Sequence, residues 1–225
     1  MKQLLIKFPT RQRPVKFFQL LALYYDLLDS PEDAFFVASL DEDDPTLKDY
    51  MSIAPGLRPN IKIHFDVGIS GSKIAAVNRD IEKYPDWDIL LLASDDMIPF
   101  QEGYDTIIRQ KMKEFYPDLD GVLWFNDGYA GDQLNTLCIL GCVYYHRFGY
   151  IYNPGYKSMF ADNEFQAVAT NLGKQTYIDQ VIIRHEHPIN NGDMTNYDDL
   201  YKANDGPWNA DAAFFAMRRE EGFKP

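Results

Sequence analysis

Hydrophobic residues in this chain fall in short, unbroken runs, and most of them end in charged or small polar residues. LLIKF at 4–8, AFFVASL at 34–40, IKIHF at 61–65, ILLLA at 89–93 and GVLWF at 121–125 are the clearest. Leu90, Leu91 and Leu92 leave no polar face, which suits a strand covered on both sides, as in a parallel α/β sheet. Segments with helical spacing lie between the runs, at 15–28, from Thr46 onward, at 73–84 and at 104–115. Strand and helix thus alternate through the first 125 residues, predicting a mostly parallel sheet flanked by helices.

The pattern changes at Thr136. TLCILGCVYYHRFGYIYNPGY is rich in strand formers, with Gly141 and Gly149 as breaks, and predicts an antiparallel β addition to the sheet. A helix follows in MFADNEFQAVATNLG, closed by Gly173, and a strand at 176–183 runs into RHEHP. The tail holds NYDDLYKAN and an amphipathic helix near 210–221, a lid or packing element with Trp208 as its anchor.

Ligands of open α/β sheets bind outside the carboxyl ends of the strands, so the residues closing each run are the candidates for chemistry. Thr10, Arg11 and Arg13 follow the first run, where arginines can pair with phosphate. Asp41 is the first residue past the second run and can accept from a base or ribose donor. Gly68 and Gly71 precede Lys73, which can reach a diphosphate, although the spacing is not that of a P-loop. Ser94, Asp95 and Asp96 end the fourth run, where adjacent carboxylates suit a divalent cation. Asn126 and Asp127 open a polar, glycine-containing loop after the fifth. Asp162 and Glu164 open a helix, where acids complement the macrodipole, and Asp162 can act as a base if that helix starts at the crevice. His185 and His187, two apart in an extended segment, can face one metal.

Composition narrows the choices. At 225 residues and 46% hydrophobic, the chain supports one sizeable core, and we expect a single domain over 1–225. A net charge of −12 is the wrong sign for gripping nucleic acid along an extended surface, although a local strip with Arg147, Lys157 and Arg184 is compatible with it. Cys138 and Cys142 lie in an apolar run and support neither a disulfide framework nor a zinc site. Aromatic content of 15%, much of it tyrosine, suits polyhydroxylated ligands as well as core edges. No apolar run is long enough for a membrane span or a signal peptide, so a cytoplasmic location is expected.

FPTRQRP, ASLDEDDP, GSKIAAVNR, LLLASDDM, ADNEF and RHEHPINNGDMTNYDDLY, in that order, resemble the motifs of GT-A nucleotide-sugar glycosyltransferases of the compact kind related to inverting family 2. The resemblance implies a Rossmann-like α/β fold, with 1–100 binding the nucleotide, 101–190 supplying the acceptor and catalytic half, and 191–225 forming a tail or lid. It implies a metal-dependent, inverting transfer of sugar from an NDP-sugar, UDP favoured, to an acceptor hydroxyl. The family's DxD motif stands here as Ser94-Asp95-Asp96. By this resemblance Asp96 holds Mn²⁺ or Mg²⁺ with His185 or His187, His185 being preferred. Thr10, Arg11, Arg13, Asp41, Lys73, Ser94 and Asp95 fall at the nucleotide sugar. Asp162 falls at the base position, and Glu164 and Asp127 at the acceptor. The acceptor itself, whether glycan, small molecule, protein or modified nucleic-acid base, is open. So are a retaining transferase or nucleotidyltransferase on the same fold, and an inactive nucleotide- or glycan-binding module marked by Ser94.

Overall fold

The computed structural model describes residues 3–188, 192, 195 and 197–224. Its first half follows the predicted alternation: β1 (Leu4–Thr10), α1 (Pro14–Asp26), β2 (Ala34–Asp41), α2 (Leu47–Ile53), β3 (Ile63–Gly68), α3 (Lys73–Asn78) and β4 (Ile89–Leu92). A short β5 (Met97–Pro99), α4 (Tyr104–Phe115), β6 (Val122–Phe125), β7 (Ile139–Gly141) and α5 (Cys142–His146) come next. The chain continues through α6 (Ala161–Asn171), β8 (Gln175–Ile178), β9 (Ile183–His185), α7 (Asp199–Asp205) and α8 (Trp208–Glu220).

Seven strands form one sheet in the order β3-β2-β1-β4-β7-β6-β8, and β5 pairs with β9 in a separate two-stranded ribbon. β1, β2, β3 and β4 are mutually parallel, β7 runs antiparallel to both neighbours, and β8 is parallel to β6. The fold class is therefore α/β with a mostly parallel sheet and an antiparallel part in the C-terminal half. Alternate residues of the central strands enter two different cores. Leu4, Ile6, Phe8, Ile89 and Leu91 pack with Phe17, Leu21 and Ile108 of α1 and α4. Leu5, Leu90 and Leu92 pack with Ile74, Val77 and Phe165 of α3 and α6 on the other face.

Two expectations fail in the C-terminal half. The run after Thr136 yields only the three-residue β7. Gly141 backs onto the Leu119 carbonyl, where a Cβ would lie 2.1 Å from the oxygen, and CVYYH then coils into α5, so tertiary packing overrides strand propensity. The strand expected at 176–183 is two strands. Beyond Ile178 the polar pair Asp179-Gln180 leaves the sheet, with Gln180 N–H donating to Ile178 O at 2.7 Å, and the chain crosses to β5. Among the described residues, no helix is long and apolar enough to cross a membrane.

Lys7 is fully buried on the second face of β1, where its ammonium donates to Ser39 Oγ, and Ser39 Oγ donates to Asp80 at 2.5 Å. Burial lowers the Lys7 pKa to about 7 despite the attraction of Asp80. The unfolded chain holds this proton to the ordinary lysine value of 10.5, so unfolding takes up a proton between the two values. We therefore expect wild-type stability to rise with pH above about 7 relative to Lys7→Met, by at most about 1.4 kcal/mol per pH unit. Parallel stability profiles for the two proteins in chemical denaturation between neutral pH and pH ~9 would contradict this.

Candidate active site

Because β1, β2 and β4 are parallel neighbours, their carboxyl ends open onto one edge of the sheet. A cavity of about 750 Å³ lies there. Thr10, Arg11, Arg13, Asp41 and Lys73 line it together with Ser94, Asp95 and Asp96, and with Asp162, His185 and His187. Eleven of the thirteen residues singled out at the nucleotide, metal, base and acceptor positions therefore share the cavity; Glu164 and Asp127 do not line it.

Around Arg11 and Arg13 the polar groups are already paired. Arg11 contacts Asp41 at 3.1 Å and Asp43 at 2.5 Å, and Ser70 Oγ donates to the other oxygen of Asp41. Thr10 Oγ1 and Tyr50 Oη share a 2.8 Å hydrogen bond. Arg13 contacts Asp95 and Asp198, each at 2.6 Å, and its guanidinium lies 4.3 Å above the Tyr201 ring. Lys73 lines the cavity and makes no ion pair among the described residues; its charge acts on both Asp96 and Asp162. Of the two glycines before it, Gly71 has φ +71° and lines the cavity. Gly68 instead makes room for Arg79, which donates to Leu40 O and Asp66 O.

The chain turns at Asp95 and Asp96 between β4 and β5. Ser94 and Asp96 come together as expected, the Ser94 hydroxyl donating to Asp96 Oδ1, while Asp95 points to Arg13. Asp96 Oδ2 accepts from Tyr201 Oη at 3.2 Å and lies 3.7 Å from His185 Nε2. The β5–β9 pairing sets this geometry by aligning Met97 with His185. His185 Nδ1 lies 3.6 Å from Asp127 Oδ2 on its other side. Burial alone would depress the His185 pKa, but the carboxylates of Asp127 and Asp96 outweigh it and raise the value to about 9. Burial likewise opposes ionisation of Asp96, yet His185, Ser94 and Lys73 hold its carboxyl well below the usual range.

Asp162 stands at the start of α6, where burial raises its pKa above the ordinary carboxylate value against the pull of Lys73. Phe160, just before the helix, has φ +63°. This left-handed turn is held from α8, where one Asp211 carboxylate accepts the backbone N–H groups of Lys157, Ser158 and Met159 at 2.8–3.0 Å.

Three expectations change here. Glu164 is buried away from the cavity, accepting from Asn153 at 2.8 Å and Tyr156 at 2.6 Å and pairing with Arg218 at 2.9 Å, so it has no oxygen facing an acceptor. Asp127 is also buried; Thr136 Oγ1 and the backbone N–H groups of Tyr129 and Ala130 donate to it, and it orients His185 instead of meeting a ligand. The basic strip is not wholly unpaired, because Arg147 pairs with Asp120 at 2.6 Å and the Arg184 guanidinium lies 4.8 Å over the Phe100 ring. Sequence reasoning also missed Tyr201, Asp198 and Asp211. Only Asp198 carries a local signal, as the N-cap of α7 accepting from Leu200 and Tyr201 N–H. Residues 189–191, 193, 194 and 196 of the motif after RHEHP lie outside the described residues.

Comparison with known proteins agrees with the topology. No family model matches the chain, and no curated protein matches it. Among solved structures, the mannosyltransferase PcManGT from Pyrobaculum calidifontis, in complex with GDP-Man and Mn²⁺, superposes with a TM-score of 0.67 at 10% identity. That match covers 82% of this chain and 57% of the mannosyltransferase. The chain has the GT-A fold. S. aureus TarS 1–349 gives a TM-score of 0.65 at 13% identity, over 83% of this chain and 61% of that one. Glucosyl-3-phosphoglycerate synthase from Mycobacterium tuberculosis, with Mg²⁺ and UDP, gives 0.54 at 10% identity, over 83% and 72%. This chain thus spans less than two thirds of the first two.

The Glu164–Arg218 pair gives a direct check on how α8 is attached. Arg218→Ala would leave a buried carboxylate without its counter-charge, and we expect a loss of about 3 kcal/mol in unfolding free energy, measured by urea denaturation. A loss below roughly 0.5 kcal/mol, the size of a surface effect, would show that α8 is not held by this pair.

Proposed function

We propose that the chain is a metal-dependent, inverting glycosyltransferase that moves a sugar from an NDP-sugar, UDP favoured, to an acceptor hydroxyl. The observation that carries this reading is that Asp96 and Asp162, carboxylates shifted in opposite directions, line one crevice with Lys73 acting on both. Environments that push two acids apart in this way mark an acid kept ionised and a group suited to proton transfer.

Asp96 and His185 would hold a divalent ion. Among the described residues no group of three or more His, Cys, Asp or Glu forms a metal site. The donor set nevertheless fits an ion completed by the substrate's own phosphates, since Mg²⁺ uses one or two carboxylates plus phosphate oxygens and imidazole suits Mn²⁺; ligation by His185 would release the proton that Asp127 and Asp96 otherwise hold on it. A bound ion would supply Lewis-acid stabilisation of the charge developing on the leaving diphosphate. His187, whose pKa is lowered by burial, lies 5.9 Å from His185 between ring centroids and is the second candidate.

The protein's own groups account for the remaining demands. Lys73, whose charge reaches both Asp96 and Asp162, would neutralise phosphate charge. Arg11 and Asp41 present a donor and an acceptor side by side to the base. Asp162, its proton affinity raised by burial, takes the acceptor hydroxyl's proton as that oxygen attacks the anomeric carbon, and a single displacement inverts the centre. Residues 1–100 would thus bind the donor and 101–190 supply the base, with α7 and α8 closing the site.

The test is a transfer screen with NDP-sugars and Mn²⁺, scored by nucleotide release and product anomer. Asp162→Asn should lower kcat by about 10²–10⁴, the usual worth of a general base. Asp96→Asn, or a chelator added to the wild type, should abolish metal-dependent turnover. Wild-type rates in both variants would sink the reading, and a retained anomeric configuration would remove its inverting part. Ser94, bonded to Asp96 where the family often has an acid, favours one second reading, a binding module without turnover. Metal-dependent UDP binding by calorimetry with no sugar release would select it.

A further inference from the structure

Two of the three tryptophans are buried and one is not. Trp87 and Trp124 are 6% and 8% exposed, whereas Trp208, expected to be a buried anchor, is 49% exposed and lines the cavity on the same side as Asp162. Its edge rests on Phe160, with ring centroids 5.0 Å apart and planes at 65°, and Phe160 in turn stacks on Phe215 at 5.6 Å.

The indole is also held rigidly relative to Asp162. Trp208, Asp211, Phe215 and Arg218 recur at helical spacing on one stripe of α8. Asp211 holds the three backbone N–H groups before Phe160, Phe214 packs over Gly155, where a Cβ would meet the ring at 2.2 Å, and Arg218 pairs with Glu164 of α6. The platform and the carboxylate therefore belong to one packed unit.

Charge is segregated along the cavity. Its lysine and arginines, Arg11, Arg13 and Lys73, all come from the first 73 residues, and none of its lining from residue 134 onward is Lys or Arg among the described residues. The wall around Trp208 instead offers Asn163, Asn204 and Asp205. A phosphorylated acceptor finds no lysine or arginine on that wall to pair with. A neutral ring with one flat C–H face and a rim of hydroxyls finds an aromatic face to stack on and amide and carboxylate groups to bond.

We propose that Trp208 is the stacking platform for a pyranose ring of the acceptor, which makes the acceptor a glycan or glycoside. The proposal rests on the transferase reading only for the role of Asp162; the platform itself stands on the exposed indole and its polar surround.

The test uses the full chain, with methyl β-D-glucopyranoside, methyl α-D-mannopyranoside and cytidine as probes, in the presence of UDP and Mn²⁺. With the other two tryptophans buried, Trp208 should dominate any ligand-induced change in indole fluorescence. A saturable change is expected with at least one pyranoside. Saturation-transfer NMR should show its affinity weakened about tenfold or more in Trp208→Ala and less in Trp208→Phe, which keeps an aromatic face. Equal affinity in wild type and Trp208→Ala, a response to cytidine alone, or no saturable response to either pyranoside would each overturn the platform. A thermal melt shows that the variants are folded. Calorimetry of UDP on the wild type separates the two ideas. Pyranoside binding without UDP binding would leave the platform standing and remove the transferase reading, and UDP binding without pyranoside binding would do the reverse.

Discussion

The constraint on which the rest depends is the parallel pairing of β1 with β2 and β4. Apart from Lys7 and Ser39 their runs are apolar on both faces, so both faces must be covered, and strands pointing the same way can be joined only by crossovers that supply the covering helices. Once that is settled, every strand end and its loop arrive at one edge. Thr10, Asp41 and Ser94 lie close together because of strand direction rather than any attraction between them. The acids that follow are then crowded into one crevice, and the remainder of the site can be understood as the way that crowding is relieved.

Relief comes from two kinds of partner. Arg11 and Arg13 neutralise Asp41, Asp43, Asp95 and Asp198 by close contact, while His185 sits between Asp96 and Asp127. Tyr201 joins the two systems, its ring beneath Arg13 and its hydroxyl on Asp96. Helix α7 is therefore fastened to the sheet edge through the groups that would meet the donor. A phosphate entering between Arg13 and Lys73 must compete with Asp95 and Asp198, so donor binding and the seating of α7 are linked in free energy.

Local pattern made the sheet and the donor side legible. Apolar runs without a polar face announced β1, β2 and β4, and the residues closing them proved to line the cavity, from Thr10 to Asp96. The antiparallel half was harder, because CVYYH has strand-forming residues but its conformation is imposed by Leu119 behind Gly141, a contact between distant segments. Glu164 illustrates the same limit. Two positions after Asp162 in a helix it points roughly the opposite way, toward α8, and its partner Arg218 is 54 residues distant. Asp211 was invisible for that reason too, since nothing near it in sequence shows that it will bind a loop fifty residues earlier.

Identities of 10–13% with solved structures establish the GT-A fold and leave the chemistry to the site. The site divides by origin. Its lysine and arginines come from the first 73 residues, on the side proposed for the diphosphate, whereas amides, aromatics and the buried Asp162 come from the second half, on the side proposed for the acceptor. The two sets meet where Lys73 acts on both Asp96 and Asp162, stabilising the ionised form of each. For Asp162 this attraction works against burial, so part of its basicity is held in check by Lys73, which makes no ion pair among the described residues. A donor diphosphate that engages Lys73 would weaken that restraint and raise the proton affinity of Asp162 at the moment an acceptor needs a base. Through this electrostatic link the base would become competent only once the donor is in place, which disfavours idle deprotonation in the empty site.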